Sequence, residues 1–335
     1  MSVVRERALR NASATRPRKF ALTPTVTVYV ALAVLLVVGS VLVALDGGVL
    51  LDQGGILNIL TRSTVLGLVA VGQTIVIITG SLDLSVAYLV GLSSLVAAET
   101  MAGSGTMIVP GVLLALAVAA VVGLVNGLVI TVLKANAFIA TLGVALVLRG
   151  YLEHNYTGPA GSVPRSFQHL GYDRIGPIPV AALLMLLIAA GAWWYLRRTR
   201  GGYHMYAVGG DVDVARLSGV RTGRTIVTAH VLCAVMAGLA GVFLASRLGS
   251  GAPYVGTDAG YDLESIAAVV LGGAALAGGR GGVVGTIGGV LILATLDTVF
   301  DDLAVDPFFK DVVRGIVLIV AVALYARRQS SRRST

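Results

Sequence analysis

Few residues in this chain could do covalent chemistry. Its 335 residues hold four histidines and one cysteine. His154, His169, His204 and His230 are scattered, without the spacing of a metal site. Lys19, Lys134 and Lys310 follow no G-x-x-x-x-G-K-[ST] loop, so the chain cannot hydrolyse ATP by the P-loop route. No HExxH pair is present, and no serine and histidine stand at suggestive positions. Enzyme is a poor reading, and no metal or cofactor is expected. Cys233 lies in an apolar run and reads as a small packing residue. The polar groups that remain sit within or beside apolar runs: Gln73, Thr79, Asp83, Ser93, Ser94, Asn126 and Thr141. Polar groups at such depth are costly unless paired or wetted. Their amides and hydroxyls could exchange hydrogen bonds with a neutral solute.

The elements that must position these groups are membrane helices. The chain is 56% hydrophobic and 13% charged, with mean hydropathy +0.88. Soluble domains carry about 25% charged residues. The fold class expected is all-α, a polytopic transmembrane bundle. A hydrocarbon core of roughly 30 Å needs about 20 apolar residues per helix. On that ruler ten spans are expected, near 20–45, 62–80, 84–101, 107–133, 137–152, 177–196, 226–247, 262–278, 283–300 and 311–326. The fifth, eighth and ninth are short or glycine-rich. With residues 1–19 inside, 18 of the 25 Lys and Arg fall in segments expected to be cytoplasmic. Both termini are therefore expected in the cytoplasm, as basic tails 1–19 and 327–335 around a membrane domain 20–326. The first apolar run lacks a cleavage site and reads as an anchor. The net charge of +8 orients the protein in the bilayer and is no nucleic-acid signal.

The longest polar interruption, 197–225, contains the run GGDVDVARLSG. Asp211 can cap a short helix, Asp213 and Arg216 suit its dipole, and Gly219 can close it. Eight residues make a rod of roughly 12 Å. Charge and capping alone leave a solvated inter-helix loop equally open.

That stretch resembles the cytoplasmic coupling segment of ribose-type monosaccharide ABC importer permeases, Y-A-x-G-G-N-x-x-A-A-R-L-S-G-I. Tyr206, Ala207, Gly209, Gly210, Ala215, Arg216, Leu217, Ser218 and Gly219 stand at matching positions, with Asp211 for the usual Asn and Val214 for the first Ala of the pair. Three more stretches resemble the same family. ITGSLDLSVA, 78–87, matches I-T-G-G-I-D-L-S-V-G, with Ser81 for the second Gly and Ala87 for the last. By itself this stretch also reads as a tight turn capped by Asp83. GLVNG and AFIATLG, from Gly123 onward, match G-L-x-N-G and x-F-I-A-T-L-G. The run from Ala267 matches I-A-A-V-V-L-G-G-x-S-L-x-G-G-R-G, with Ala275 for Ser. Gly123 and Gly127 form a GxxxG pair, and Gly281, Gly285 and Gly289 recur every four residues, expected on one helix face for close packing.

The resemblance implies a permease subunit that works with a second permease copy, a P-loop ATPase that binds the ATP, and an extracytoplasmic sugar-binding protein. It implies that Gly210, Asp211, Asp213, Ala215, Arg216, Leu217, Ser218 and Gly219 form the ATPase-coupling rod. Gln73, Thr79, Asp83, Asn126 and Thr141 are the candidates for the translocation path. The solute expected is a pentose or hexose, with a nucleoside, polyol or sugar-like signal molecule as alternatives. A self-sufficient secondary transporter is the other class. Such carriers usually keep ionisable groups at mid-membrane, and the spans as drawn hold none in their middles.

Overall fold

The computed structural model describes residues 23–306, 308–310, 312–313 and 315–316. The helices are α1 Pro24–Leu45, α2 Gln53–Ile78, α3 Val86–Met101, α4 Ile108–Val132, α5 Ala137–Asn155, α6 Arg165–Tyr172, α7 Val180–Arg198, α8 Arg200–Gly210, α9 Val212–Leu217, α10 Thr222–Leu248, α11 Val255–Asp258, α12 Tyr261–Leu271 and α13 Val283–Asp302. One small antiparallel hairpin, Arg174–Ile175 with Ile178–Pro179, turns at Gly176 and Pro177 and precedes α7. The chain is thus an all-α bundle.

Seven helices among the described residues are long and apolar enough to cross a membrane. The expected eighth span, 262–278, is not one of them. α12 has 11 residues, about 16 Å of rise. Gly272, with Gly273, Gly278 and Gly279 at positive φ, then turns the chain into α13. Glycine alone adopts such φ angles freely. α3 is also short, at 16 residues. Most of the expected tenth span lies outside the described residues, as do the tails 1–19 and 327–335.

α2 is the axial helix. Nearly every residue from Ser63 to Ile78 is buried, against α10 and α13. α10 also packs on α3 and α4. Glycines set these approaches. A Cβ on Gly72 would press on the Cys233 backbone of α10, and one on Gly123 or Gly127 would press on Val231 or Val227. Without a hydrophobic drive between helices in lipid, such backbone contact is what holds them together. Gly285 and Gly289 of α13 sit against the carbonyls of Gly272 and Ala268. Gly281 is a correction: it precedes α13 with φ +135, off the helix face, and meets Ala274.

The loop after α10 packs on the bundle. It runs along α3: Gly251 abuts Leu95, Pro253 abuts Gly91 and Gly256 abuts Ala87 near the start of that helix. Each close approach needs a glycine on one side or the other. A long helix thus precedes a short one twice: α2 before α3, and α10, by way of α11, before α12. α2 and α10 lie antiparallel, because Gln73 meets Cys233 while Ser81 meets His230.

Candidate functional site

Two groups of residues stand out. The first is a buried polar network where α2 ends and α3 begins. α2 stops at Ile78, and Gly80 at φ +79 reverses the chain. Gln73 Nε2 then donates to the Asp83 carbonyl at 3.2 Å. Residues 79–85 therefore climb back beside the last turn of α2. The Asp83 carboxylate accepts the Ser85 amide at 2.9 Å and the Ser85 hydroxyl at 2.6 Å. Ser85 is the N-cap residue of α3, so Asp83 braces the helix start from two residues upstream. Asn126 Nδ2 of α4 donates to both Asp83 oxygens at 3.2 and 3.3 Å, and to Ser85 Oγ at 2.9 Å. His230 of α10 completes the network. Its Nδ1 lies 3.3 Å from Asp83 Oδ2 and its Nε2 shares a 2.8 Å hydrogen bond with Ser81 Oγ. Asp83, Ser85, Asn126 and His230 have no exposed surface.

Of the five residues proposed from sequence for the translocation path, three come together here: Gln73, Asp83 and Asn126. Thr79, the C-cap of α2, donates to Val76 O and Thr141 to Ala137 O of α5, both outside the network. Cys233 donates weakly to Gln73 Oε1 at 3.6 Å. The amide oxygen of Asn126 is buried without a partner among the described residues.

His230 was not anticipated, and the expectation that no serine and histidine pair up is overturned. Ser81, His230 and Asp83 follow the order of a hydrolase triad. Ser81 is nevertheless buried, and a nucleophile needs a substrate carbonyl and oxyanion donors within reach. The signal that could have found this group is simple. His230 is an ionisable residue within an apolar run, and such a residue calls for a named partner. Asp83 was the buried acid available. Ser81 was noted as a serine in place of glycine, and its hydroxyl supplies the second histidine contact.

The second group is the polar interruption. It folds as two helices rather than one. α8, Arg200–Gly210, was missed; its N-cap Thr199 accepts from Gly202 N. α9 spans six residues, about 9 Å. Asp211 caps it, accepting from Asp213 N at 2.9 Å and Val214 N at 3.0 Å. Asp213 and Arg216 pair at 3.7 Å, and Gly219 at φ +83 follows the helix end. Leu217 is 89% exposed and Val214 58%, whereas Ala215 is buried against its own chain. Ser218 donates back to Val214 O.

α8 joins the two groups. A Cβ on Gly209 would overlap the Ile78 carbonyl oxygen at the end of α2. Gly278 and Gly279 approach the backbones of Gly80, Gly209 and Gly210. Gly279 N donates to Ile78 O at 2.9 Å, and Tyr206 Oη donates to Gly281 O at 2.9 Å. Burial pushes the Tyr206 phenol above its ordinary range. Three backbone segments thus touch within one turn of α9 on one side and of Ser81–Asp83 on the other.

Comparison with known proteins fits this arrangement of long apolar helices and a capped polar rod. Residues 55–322 match the family described as "Branched-chain amino acid transport system / permease component". The chain belongs to this permease family. Among curated permeases, the ribose import permease protein RbsC of Bacillus subtilis (strain 168) is 39% identical over 84% of this chain and 87% of its own length. The L-arabinose transport system permease protein AraH of Escherichia coli (strain K12) is 34% identical over 80% and 81%. The galactose/methyl galactoside import permease protein MglC of the same strain is 31% identical over 90% and 95%. No solved structure matches. As a permease of this family the chain is a multi-pass protein of the cell membrane. The matched region runs through both site groups and stops short of the N-terminal tail.

Proposed function

We propose that this chain is the membrane-spanning subunit of an ATP-driven importer for a monosaccharide, a pentose or hexose. The observation that carries the reading is the 39% identity to a ribose import permease across 84% of the chain. Two copies pair, each engages a P-loop ATPase, and an extracytoplasmic sugar-binding protein delivers the solute. ATP is bound by the ATPase, and the chain itself is no enzyme. The polar interruption 197–225, with six of the Lys and Arg, faces the cytoplasm.

In this reading α9 is the coupling rod. Its exposed Val214 and Leu217 seat in the ATPase, with Gly210, Asp211, Asp213, Arg216, Ser218 and Gly219 shaping the rod and Ala215 anchoring it. Motion of the rod passes through Gly209 and Gly210 to the end of α2 and the 272–282 loop. The Asp83–His230 network then acts as a positioning element that fixes where α3 begins. The solute passes near the starts of α3 and α12, the two interrupted segments, as in transporters built from broken helices. Thr79 and Thr141 border that path.

A second reading rests on the family description, which names branched-chain amino acids. Uptake into vesicles holding this chain, its ATPase and its binding protein separates the two. Labelled ribose, arabinose, galactose, a nucleoside and leucine are offered in turn. Uptake of one of the sugars without leucine is expected. Uptake of leucine alone would replace the substrate assignment and leave the importer assignment standing.

A further inference from the structure

A cleft of about 390 Å³ opens between the end of α7, α8 and the start of α10. Small-molecule sites occupy roughly 300–1,000 Å³. Arg221, Arg224, His204, Tyr195 and Thr225 line it, and no Asp or Glu does. Both arginines are exposed, and neither takes part in any ion pair among the described residues. Asp213, an acid of the neighbouring α9, is paired with Arg216, and Asp211 is engaged in capping. Arg221 stands at the N-cap of the 27-residue α10 and makes no side-chain cap, while the Thr222 amide donates to Val220 O at 2.9 Å. Trp193 and Trp194, at 39% and 58% exposure, precede Tyr195 on α7. Exposed tryptophans at a helix end mark the membrane–water boundary.

We infer that this cleft binds a phosphate group, carried by an anionic lipid headgroup or free in solution. Two unneutralised guanidiniums offer forked donors that match phosphate oxygens. The start of α10, whose dipole favours an anion, lies beside them. Basic pockets between membrane helices at the headgroup level hold phosphate headgroups in this way. Arginines that merely orient a loop in the bilayer need not line one cleft together, as Arg221 and Arg224 do. The inference does not depend on the transported solute.

The test uses the full-length chain. One arm reconstitutes it in nanodiscs of phosphatidylcholine with one part in ten phosphatidylglycerol and counts co-purifying lipids by native mass spectrometry. The other titrates inorganic phosphate into lipid-depleted chain in detergent by calorimetry. Wild type should retain phosphatidylglycerol over phosphatidylcholine. Arg221→Gln with Arg224→Gln should lower retention at least tenfold, with no change in melting temperature. Arg198→Gln with Arg200→Gln removes the same charge beside the cleft and should leave retention intact. Binding of inorganic phosphate alone, abolished by the Arg221/Arg224 pair, keeps the site and assigns a soluble ligand. Equal retention of both lipids, equal loss in the control pair, or no binding in either arm overturns the inference.

Discussion

The imidazole Nδ1 of His230 stands 3.3 Å from an Asp83 carboxylate oxygen, and neither side chain has exposed surface. Removing one partner of a buried ionisable pair leaves the other uncompensated, at a cost of about 3–5 kcal/mol. Asp83→Ala also strips the acceptor from Ser85 and Asn126. A large drop in melting temperature in detergent is expected for Asp83→Ala. Ser81→Gly removes only one contact of His230 and should fall by less. An Asp83→Ala protein that melts with the wild type would show that the network contributes nothing to the fold.

The rod offers a geometric test. Val214 and Leu217 point outward, while Ala215 points into the chain. Val214→Cys and Leu217→Cys, in a Cys233→Ser background, should cross-link to cysteines in the ATPase groove. Ala215→Cys should cross-link at least tenfold less. Equal cross-linking at all three positions would mean that α9 does not present this face.

Close glycine contacts tolerate no added carbon. A Cβ on Gly285 would overlap the Gly272 carbonyl oxygen, and one on Gly209 the Ile78 carbonyl oxygen. Overpacking of this kind costs about 1–3 kcal/mol. Gly285→Ala should lower the melting temperature and Gly285→Leu should lower it further. Gly209→Ala should cut ATP-driven uptake severalfold while the ATPase still binds. Gly143 has nothing near its Cβ, so Gly143→Ala is the neutral control. A Gly209→Ala protein with full uptake would exclude the junction from coupling.

Much of this was legible in the sequence, and the reasons are physical. Length and hydropathy gave the helices, because the bilayer sets a ruler. Asp211 and Gly219 gave the rod, because caps act through local hydrogen bonds. The failures involve long-range contacts. The 11-residue α12 looked like a full span because its apolar run continues through Gly272 to Gly278, and hydropathy does not register φ. Gly281 kept the four-residue period of Gly285 and Gly289 yet lies before the helix. α8 was missed because its polar, glycine-bearing sequence has low intrinsic helix propensity, and its packing on Ile78 and Gly279 is what holds it. His230 and Asp83 are 147 residues apart, a separation that no local pattern spans.

The proposed sidedness rests on where the Lys and Arg fall. Asp46 precedes α2 and Arg221 precedes α10, and both are exposed. Single cysteines there, in a Cys233→Ser background, should differ towards an impermeant thiol reagent on intact cells. Asp46→Cys should label at once and Arg221→Cys only after permeabilisation. The reverse pattern would invert the orientation and detach α9 from any cytoplasmic ATPase.

The central claim is that sugar import by this chain is driven by a partner's ATP hydrolysis. Its most direct test is uptake of labelled ribose into vesicles holding the chain alone, the chain with its ATPase, or both with the binding protein, with and without ATP. Accumulation is predicted only for the full set with ATP. Accumulation by the chain alone, independent of ATP, would contradict the account and make it a self-sufficient carrier.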